Sequence, residues 1–288
     1  MKRNIIYLFA VLMLTAASSC KKEDGGSGLK AVFSYVADGF KVNFTNFSTN
    51  ATEYSWDFGD GSGAVSTSKT PQHIFTKKGD FLVSLTAKRG TETSTFIDTV
   101  SIIGPNIKVD GDFSDWQYVE YSHVNGDSYV GTMRAIKTFA SSDQIYFYLE
   151  GNADMKLEVM DLYIDSDNNP ATGFATWMYP AGSGVEFLCE GGSLTDPLKL
   201  WGDVLKHSGG PGDWAWNSVA SFADATHFSA MKTTAGKNII EFSIKKTALG
   251  PVSQFINFCI VESTAGWAEV GKIPEAATPA SKFIAVPL

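Results

Sequence analysis

Hydrophobic and polar residues alternate with a period of two over most of the chain after residue 30. In the first part the alternating runs are short and turn residues separate them; the runs are AVFSYVADG, FKVNFTNFS, FLVSLTAKRG and TSTFIDTVSII. Side chains of a β-strand point alternately to its two faces, so this period predicts half-buried strands. Short strands punctuated by turns are typical of an antiparallel β-sandwich.

A second set of strand-like runs follows Gly104-Pro105-Asn106, a turn sequence that we take as a domain boundary. The predicted strands cover residues 129–139, 144–150, 161–165, 184–190, 238–244 and 255–262. Residues 245–250 are expected to form one short helical turn. With many short strands and no long amphipathic helix, the sequence predicts an all-β chain with two β-sandwich domains, at residues 30–104 and 105–288.

The beginning of the chain has the order of a secretory signal peptide. Lys2 and Arg3 precede an apolar run at residues 5–14, and small residues at 15–19 follow it. The apolar run is too short to cross the hydrocarbon core of a bilayer as a helix. We therefore expect residues 1–19 to be a signal peptide; an ordinary cleaved signal with an incidental cysteine after it is the alternative.

Cys20 directly follows the small residues, and the stretch resembles a bacterial lipoprotein lipobox with Ala17 where that pattern prefers leucine. Lys22-Glu23-Asp24 resembles the signal that sends some lipoproteins to the outer face of the outer membrane. These resemblances imply lipidation at Cys20 and a location on the cell surface. The charged and Gly/Ser-rich residues 20–29 predict a flexible tether.

Charge and cysteine content exclude several classes of function. The chain has 23 basic and 31 acidic residues and a formal net charge of −8, without the basic cluster that nucleic-acid binding needs. Beyond Cys20 only Cys189 and Cys259 remain, and no CxxC spacing suggests a zinc or haem c site. Two separately buried thiols are expected, with a single disulfide as the alternative.

The first predicted sandwich contains a specific series of residues: Trp56-Asp57-Phe58-Gly59-Asp60-Gly61, then Thr70-Pro71, His73, Phe75, Gly79 and the Phe81–Thr86 strand. The series resembles the polycystic kidney disease (PKD) domain, an immunoglobulin-like β-sandwich that usually serves as a spacer or interaction module. Asp57 and Asp60 resemble a carboxylate pair or a metal site. We expect them instead to hold turns through hydrogen bonds to the backbone, because Asp commonly does so.

The second predicted domain contains, in order, VDGDFSDW, AIKTFASSDQIYFYLEG, LYIDSDNNPATGF, GVEFLCEG, LKLWG, DWAW and IIEFSIKKTALG. This succession resembles the family 9 carbohydrate-binding modules and the related DOMON-like sandwiches. The resemblance implies a non-catalytic β-sandwich that binds sugars between aromatic side chains, often with structural calcium.

Asp165, Asp167 and Asn169 occupy alternate positions directly after an apolar strand. This is the oxygen-ligand spacing of the first half of a calcium loop, and Glu186 is a candidate for the remaining carboxylate. A solvated turn rich in Asp and Asn is the alternative.

Aromatic residues in segments rich in Gly and Pro are the candidate ligand-binding residues: Trp177, Tyr179, Trp201, Trp214 and Trp216. Indole and phenol faces match the C–H face of a sugar ring, so exposed rings on loops suit a glycan. Core packing is the alternative for each of them, and for Trp116 we expect it.

Catalysis and haem binding have little support in the sequence. Ser183 lacks the full G-x-S-x-G pattern, and Glu186 and Glu190 lie too far apart along one strand face for a glycosidase pair. No sequence feature pairs Met155 or Met160 with His207 as haem ligands.

The sequence therefore predicts a non-enzymatic surface lipoprotein that captures oligo- or polysaccharide and keeps it near an outer-membrane transporter or a glycoside hydrolase. The alternatives are a structural or adhesive protein that binds another protein, and an unrecognised glycan-active enzyme.

Overall fold

The computed structural model describes residues 28–196 and 198–288. The predicted signal peptide, the lipidation site Cys20 and most of the tether lie outside the described residues. Within them the chain forms 20 β-strands, a four-residue helix α1 (Phe222–Ala225) and 3-10 turns at Phe113–Trp116 and Lys246–Leu249. The all-β class and the predicted helical turn near residue 245 are confirmed. None of the helices described is long and apolar enough to cross a bilayer.

Seven strands make up the first part of the chain. They are β1 (Phe33–Asp38), β2 (Lys41–Asn46), β3 (Glu53–Asp57), β4 (Val65–Ser66), β5 (Gln72–Ile74), β6 (Gly79–Arg89) and β7 (Glu92–Ile102). They form a three-stranded sheet in the order β1-β2-β5 and a four-stranded sheet in the order β4-β3-β6-β7. The alternating runs of the sequence are these strands.

Trp56 is the centre of the first core. Its ring is fully buried, lies 5.1 Å from Phe33 and 5.3 Å from Phe44, and donates a hydrogen bond from Nε1 to the Ser68 carbonyl. Asp57 accepts a bond from the amide of Gly59. Asp60 does the same for the amide of Ser62. The prediction that these aspartates hold turns is confirmed.

Thirteen strands make up the rest of the chain: β8 (Tyr121–Val124), β9 (Met133–Ala140), β10 (Gln144–Asn152), β11 (Val159–Asp165), β12 (Phe187–Gly192), β13 (Trp201–His207), β14 (Trp216–Ser221), β15 (Thr226–Phe228), β16 (Lys232–Thr234), β17 (Lys237–Lys245), β18 (Phe255–Ser263), β19 (Glu269–Ile273) and β20 (Ile284–Pro287). One sheet has the order β15-β17-β10-β9-β8, with β16 beside β17. The other has the order β14-β13-β12-β11-β18-β19, with β20 also on β18.

The main core lies between these two sheets. It contains Met133, Phe147, Leu162, Phe242 and Phe258 among many other buried side chains. Because side chains alternate along a strand, the other residues of β11, β12, β13 and β18 point to the outer face of the seven-stranded sheet. A smaller cluster covers part of that outer face. Each sheet therefore contributes one face to a shared core, which is the predicted sandwich.

Two predicted strands have different limits in the structure. The strand expected at 129–139 begins at Met133, and the one expected at 184–190 begins at Phe187. Residues 184–186 hold only one isolated bridge, between Val185 and Phe174. The predicted helical turn is confirmed, and both Cys189 and Cys259 are free and buried, as expected for separate thiols.

Two compact units divide the described residues. One contains residues up to Tyr35, Phe44–Pro71 and Phe81–Val100, and the other contains Val36–Asn43, Gln72–Asp80 and Ser101–Leu288. The domain limits 30–104 and 105–288 stay a prediction.

Candidate functional site

Two exposed tryptophans pack edge to face beside a groove at one end of the seven-stranded sheet. Trp201 is 43% exposed and Trp267 is 55% exposed, and their ring centroids lie 6.2 Å apart with an angle of 64° between the planes. The groove has a volume of about 490 Å³. Its lining residues are Lys156, Leu157, Glu158, Val159, Ser193, Leu194, Thr195, Trp201, Ala265 and Trp267. We call this site the tryptophan groove.

Strand pairing places Trp201 on one side of the groove. It is the first residue of β13 and pairs with Gly192 of β12. A Cβ atom at Gly192 would lie only 2.8 Å from the indole Nε1. The indole therefore lies against the backbone of β12, at a position where a side chain would displace it.

A turn between β18 and β19 places Trp267 on the opposite side. The turn is closed by the amide of Thr264, which donates to the Ala268 carbonyl, and by the amide of Trp267, which donates to the Thr264 carbonyl. Trp267 has φ of 65°, in the left-handed region. That region is unfavourable for a bulky residue, so the turn holds an exposed ring at a cost in backbone energy.

Unfavourable backbone conformations are concentrated around the groove. Among the described residues, six other than glycine have positive φ: Asn50, Leu157, Asn168, Ser193, Ala235 and Trp267. Three of these six, Leu157, Ser193 and Trp267, line the tryptophan groove. Strained backbone collects at binding sites, because there the strain serves the placement of side chains.

Two carboxylates, one buried and one exposed, hold the walls of the groove. Glu262 is buried, and its Oε1 accepts hydrogen bonds from the amides of Lys156 at 2.6 Å and Leu157 at 2.7 Å. Thr132 donates its hydroxyl to the other oxygen of Glu262. Glu158 accepts from the amide of Ala265, which joins the two walls. Hydrogen bonds within the protein thus hold the walls of the groove in place.

The other predicted tryptophans lie at the far end of β13. Trp216 of β14 pairs with His207, the last residue of β13. Trp201 is the first residue of β13, six residues before His207, which places these two residues about 20 Å apart. Trp177, which is 70% exposed, and Trp214, which is 56% exposed, have ring centroids 6.4 Å apart. With Phe174 beneath them, these rings form a surface that we call the aromatic patch: Phe174, Trp177, His207, Trp214 and Trp216.

Tyr179 corrects the prediction that all five aromatic residues face a ligand. Its side chain is fully buried, and its hydroxyl donates to the Pro274 carbonyl. It belongs to the small cluster on the outer sheet face, where its ring lies 5.2 Å from Phe283. The loop after Phe174 folds back over the sheet, so Tyr179 cannot stack on a sugar.

Three of the four predicted metal ligands come together in the structure. Oxygens of Asp165, Asp167 and Glu186 lie within 4.8 Å of one another, the only such set among the described residues. The side-chain oxygen of Asn169 accepts from the Ala171 amide. Its own amide donates to Asp165 and Asp167 and so orders the loop. We call Asp165, Asp167 and Glu186 the carboxylate loop.

Electrostatics in the carboxylate loop favour a cation. Burial, together with the nearby charges of Asp167 and Asp165, raises the pKa of Glu186 to about 7. Burial also raises the pKa of Asp165, against the lowering effect of the hydrogen bond from Asn257. Each carboxylate would gain from a positive charge, and oxygen ligands are those that Ca²⁺ prefers.

Comparison with known proteins assigns the first part of the chain. The family model of the PKD domain matches residues 34–103. These residues belong to the PKD domain family. The PKD1 domain of the Vibrio cholerae metalloprotease PrtV is 29% identical, covers 26% of this chain and 96% of that chain, and has a TM-score of 0.24. The PKD1 domain of Vibrio anguillarum Epp is 31% identical, covers 26% of this chain and 93% of that chain, and has a TM-score of 0.24.

A further solved structure concerns carbohydrate-binding modules of the β-sandwich superfamily. It is 15% identical, covers 81% of this chain and 95% of that chain, and has a TM-score of 0.23. No curated protein matches the chain. Beyond the PKD domain, the predicted relation to family 9 carbohydrate-binding modules stays a prediction.

Proposed function

We propose that this protein is a non-catalytic, surface-anchored lipoprotein that captures oligo- or polysaccharide in the tryptophan groove. The observation that carries the proposal is the concentration of left-handed, non-glycine backbone around two exposed tryptophans that pack edge to face. An exposed indole held in an unfavourable conformation contributes nothing to a core, so its role is sought in a ligand.

The chemistry of the groove suits a sugar ring. Trp201 and Trp267 offer flat apolar faces at a steep angle, one against the sheet and one on a turn. Ser193 and Thr195 add hydroxyl groups, and Lys156 adds a cation. A pyranose has C–H groups on its faces and hydroxyls on its rim, and a site of this mixed character matches both.

The carboxylate loop is proposed as a calcium site that stabilises the second sandwich. Asp165, Asp167 and Glu186 would hold the ion, and its charge would offset the repulsion among the three carboxylates. The loop and the tryptophan groove lie at opposite ends of β11, because Asp165 ends that strand and Val159 begins it. Calcium is therefore proposed to support the fold and not to touch a sugar in the groove.

The surface location and the partners rest on the sequence. Residues 1–19 and Cys20 suggest a lipid anchor, and an outer-membrane transporter or a glycoside hydrolase would use the captured glycan. A weakly bound saccharide held at a surface gains from the high local concentration of binding sites.

The aromatic patch favours a second function, adhesion to a protein. Trp177 and Trp214 are exposed and pack on each other. Exposed apolar patches of this kind mark protein contacts as well as ligand sites. The two functions use different tryptophans, so one set of variants separates them.

The test is a glycan array with the full chain, with and without a calcium chelator, followed by titration of the best ligand. We expect Trp201→Ala to weaken binding about five- to one-hundredfold, since stacking on a ring contributes about 1–3 kcal/mol. The matched control is the double variant Trp177→Ala and Trp214→Ala, which removes two exposed indoles at the other end of β13. No saccharide binding by the folded chain, or equal losses in both variants, would reject the groove as the site.

A further inference from the structure

Three acidic residues lie side by side on the outer face of the seven-stranded sheet, next to the tryptophan groove. Asp161 of β11 pairs with Glu190 of β12, and Glu190 pairs with Asp203 of β13. Cross-strand partners have Cβ atoms about 5 Å apart, and like charges placed directly opposite each other are unfavourable. We call these three residues the carboxylate row.

Asp161 lacks a hydrogen-bond donor. It is only 9% exposed, and its Oδ1 is fully buried with no hydrogen-bond partner. On the other side of Asp161, Val261 of β18 is its cross-strand partner, and Lys272 of β19 is the partner of Val261. Lys272 forms its ion pair with Glu269, at 2.6 Å. Burial and the Glu190 carboxylate raise the pKa of Asp161 to about 7, and burial also raises the pKa of Glu190. A buried acceptor beside a second acid is costly unless a donor or a cation satisfies it.

The carboxylate row lies next to the tryptophan groove, on the same face of the sheet. Glu190 lies two residues before Gly192 on β12, and Asp203 lies two residues after Trp201 on β13. Residues two apart on a strand share a face and are separated by about 7 Å. The acids thus form the row of the sheet that directly follows Trp201 and Gly192.

The geometry favours an organic cation over a metal ion. A calcium ion takes six to eight oxygens, and the carboxylate loop is the only three-acid set among the described residues with oxygens close enough to share an ion. An ammonium group instead needs only a few acceptors, and it brings three donors together with its charge. The carboxylate row offers what such a group needs.

We infer that the tryptophan groove takes a saccharide that carries a protonated amine, with the ammonium group on Asp161 and Glu190 and the sugar ring on Trp201. This inference rests on the proposed function, because it names the class of glycan that the same groove selects. Asp203, which is half-buried like Glu190, sits at the other end of the row and adds to the negative field.

The experiment compares two probes of equal length, a glucosamine oligomer and its N-acetylated counterpart, titrated into the full chain. Acetylation removes the positive charge and keeps the ring, so we expect the amino oligomer to bind about tenfold more tightly, as for a charge-assisted bond. The variant Glu190→Gln should bring the ratio of the two affinities close to one. Asp213→Asn, which removes the same charge in the loop at the far end of β13, should leave the ratio at about ten.

Each outcome decides between the two claims. Equal binding of both probes, or a preference that survives in Glu190→Gln, overturns the inference and leaves the proposed function standing. Binding of other glycans on the array but neither probe does the same. Binding of no saccharide at all overturns the proposed function and, with it, the inference.

Discussion

At the scale of single residues, Trp267 shows how this chain uses an unfavourable conformation. Its φ of 65° would suit glycine or asparagine, yet an exposed indole stands there opposite Trp201. A left-handed conformation costs a residue with a side chain about 1–2 kcal/mol. The ring keeps 55% of its surface exposed, so a functional role for it is the simplest explanation.

The variant Trp267→Gly separates stability from binding. Glycine adopts positive φ without strain, so we expect a melting temperature equal to or slightly above that of the unchanged protein. Saccharide affinity should fall at least about tenfold, because one wall of the groove is lost. Thermal unfolding and calorimetric titration measure the two quantities. A clear loss of stability would contradict the view that Trp267 is strained for function.

Asp161 gives a prediction that depends on pH. Its pKa in the folded chain is about 7, above its ordinary value of 3.8, so the native state holds this proton more tightly than the unfolded state. The group therefore destabilises the fold fully above pH 7, and this effect disappears as the pH falls towards 4.

Asp161→Asn should raise the melting temperature at pH 8 by a few degrees and change it little at pH 4. Thermal unfolding at the two pH values is the measurement, and Asp203→Asn, at a more exposed member of the same row, is the control variant. A variant that is less stable than the unchanged protein at pH 8 would show that a partner satisfies the carboxylate.

At the scale of elements, the turn before the 3-10 helix Phe113–Trp116 is fastened by one buried acid. Glu241 of β17 is fully buried and accepts from the amides of Asp110 and Gly111 and from the indole Nε1 of Trp116. Trp116 is itself buried, which confirms the prediction that it fills the core. The sequence VDGDFSDW is thus a structural device in which the acidic residues shape a turn.

Glu241→Ala should cost about 3–5 kcal/mol of unfolding free energy, since three donors would lose their shared acceptor in the interior. Denaturant unfolding measures the loss. Glu241→Gln keeps an acceptor oxygen for some of the donors and should lose less than Glu241→Ala. Equal stability of Glu241→Ala and the unchanged protein would mean that water replaces the carboxylate.

At the scale of the whole molecule, calcium is expected to act on stability. An ion bound only by the folded state adds RT ln(1 + [L]/Kd), or about 2.7 kcal/mol at a concentration of one hundred times Kd. Saturating Ca²⁺ should therefore raise the melting transition of the second sandwich by several degrees over the value in chelator. Asp167→Asn should abolish most of the shift, because it removes one of the three proposed calcium ligands. Asp167 is exposed, so the substitution leaves the core intact. Identical transitions in calcium and in chelator would remove the proposed site.

The sequence predicts this fold better than it predicts the site. Alternation of apolar residues is a local property, and it is enough to find strands such as β2, β6, β10 and β17. Two acids of the carboxylate loop, Asp165 and Asp167, were also predictable, because their spacing is local. Glu186 is distant in the sequence and was only a candidate. Short edge strands such as β15 and β16 have too few residues to show a period.

The positions of the other site residues depend on tertiary structure, which the local sequence pattern does not show. Tyr179 lies in a loop rich in Gly and Pro, yet the loop returns across the sheet and buries it. Trp267 escaped prediction because a left-handed turn leaves no periodic pattern; the sequence Thr264-Ala265-Gly266-Trp267 was the only sign of it. The orphaned carboxylate of Asp161 depends on strand register, which the sequence does not display.

At position 267, the left-handed backbone favours one kind of residue for stability and another for ligand binding. A library of all residues at this position, sorted only for resistance to heat, should enrich glycine and asparagine. The same library sorted for retention on an immobilised glycan should enrich tryptophan. A difference between the residues enriched in the two selections would then show that this turn has been selected for ligand binding rather than for stability.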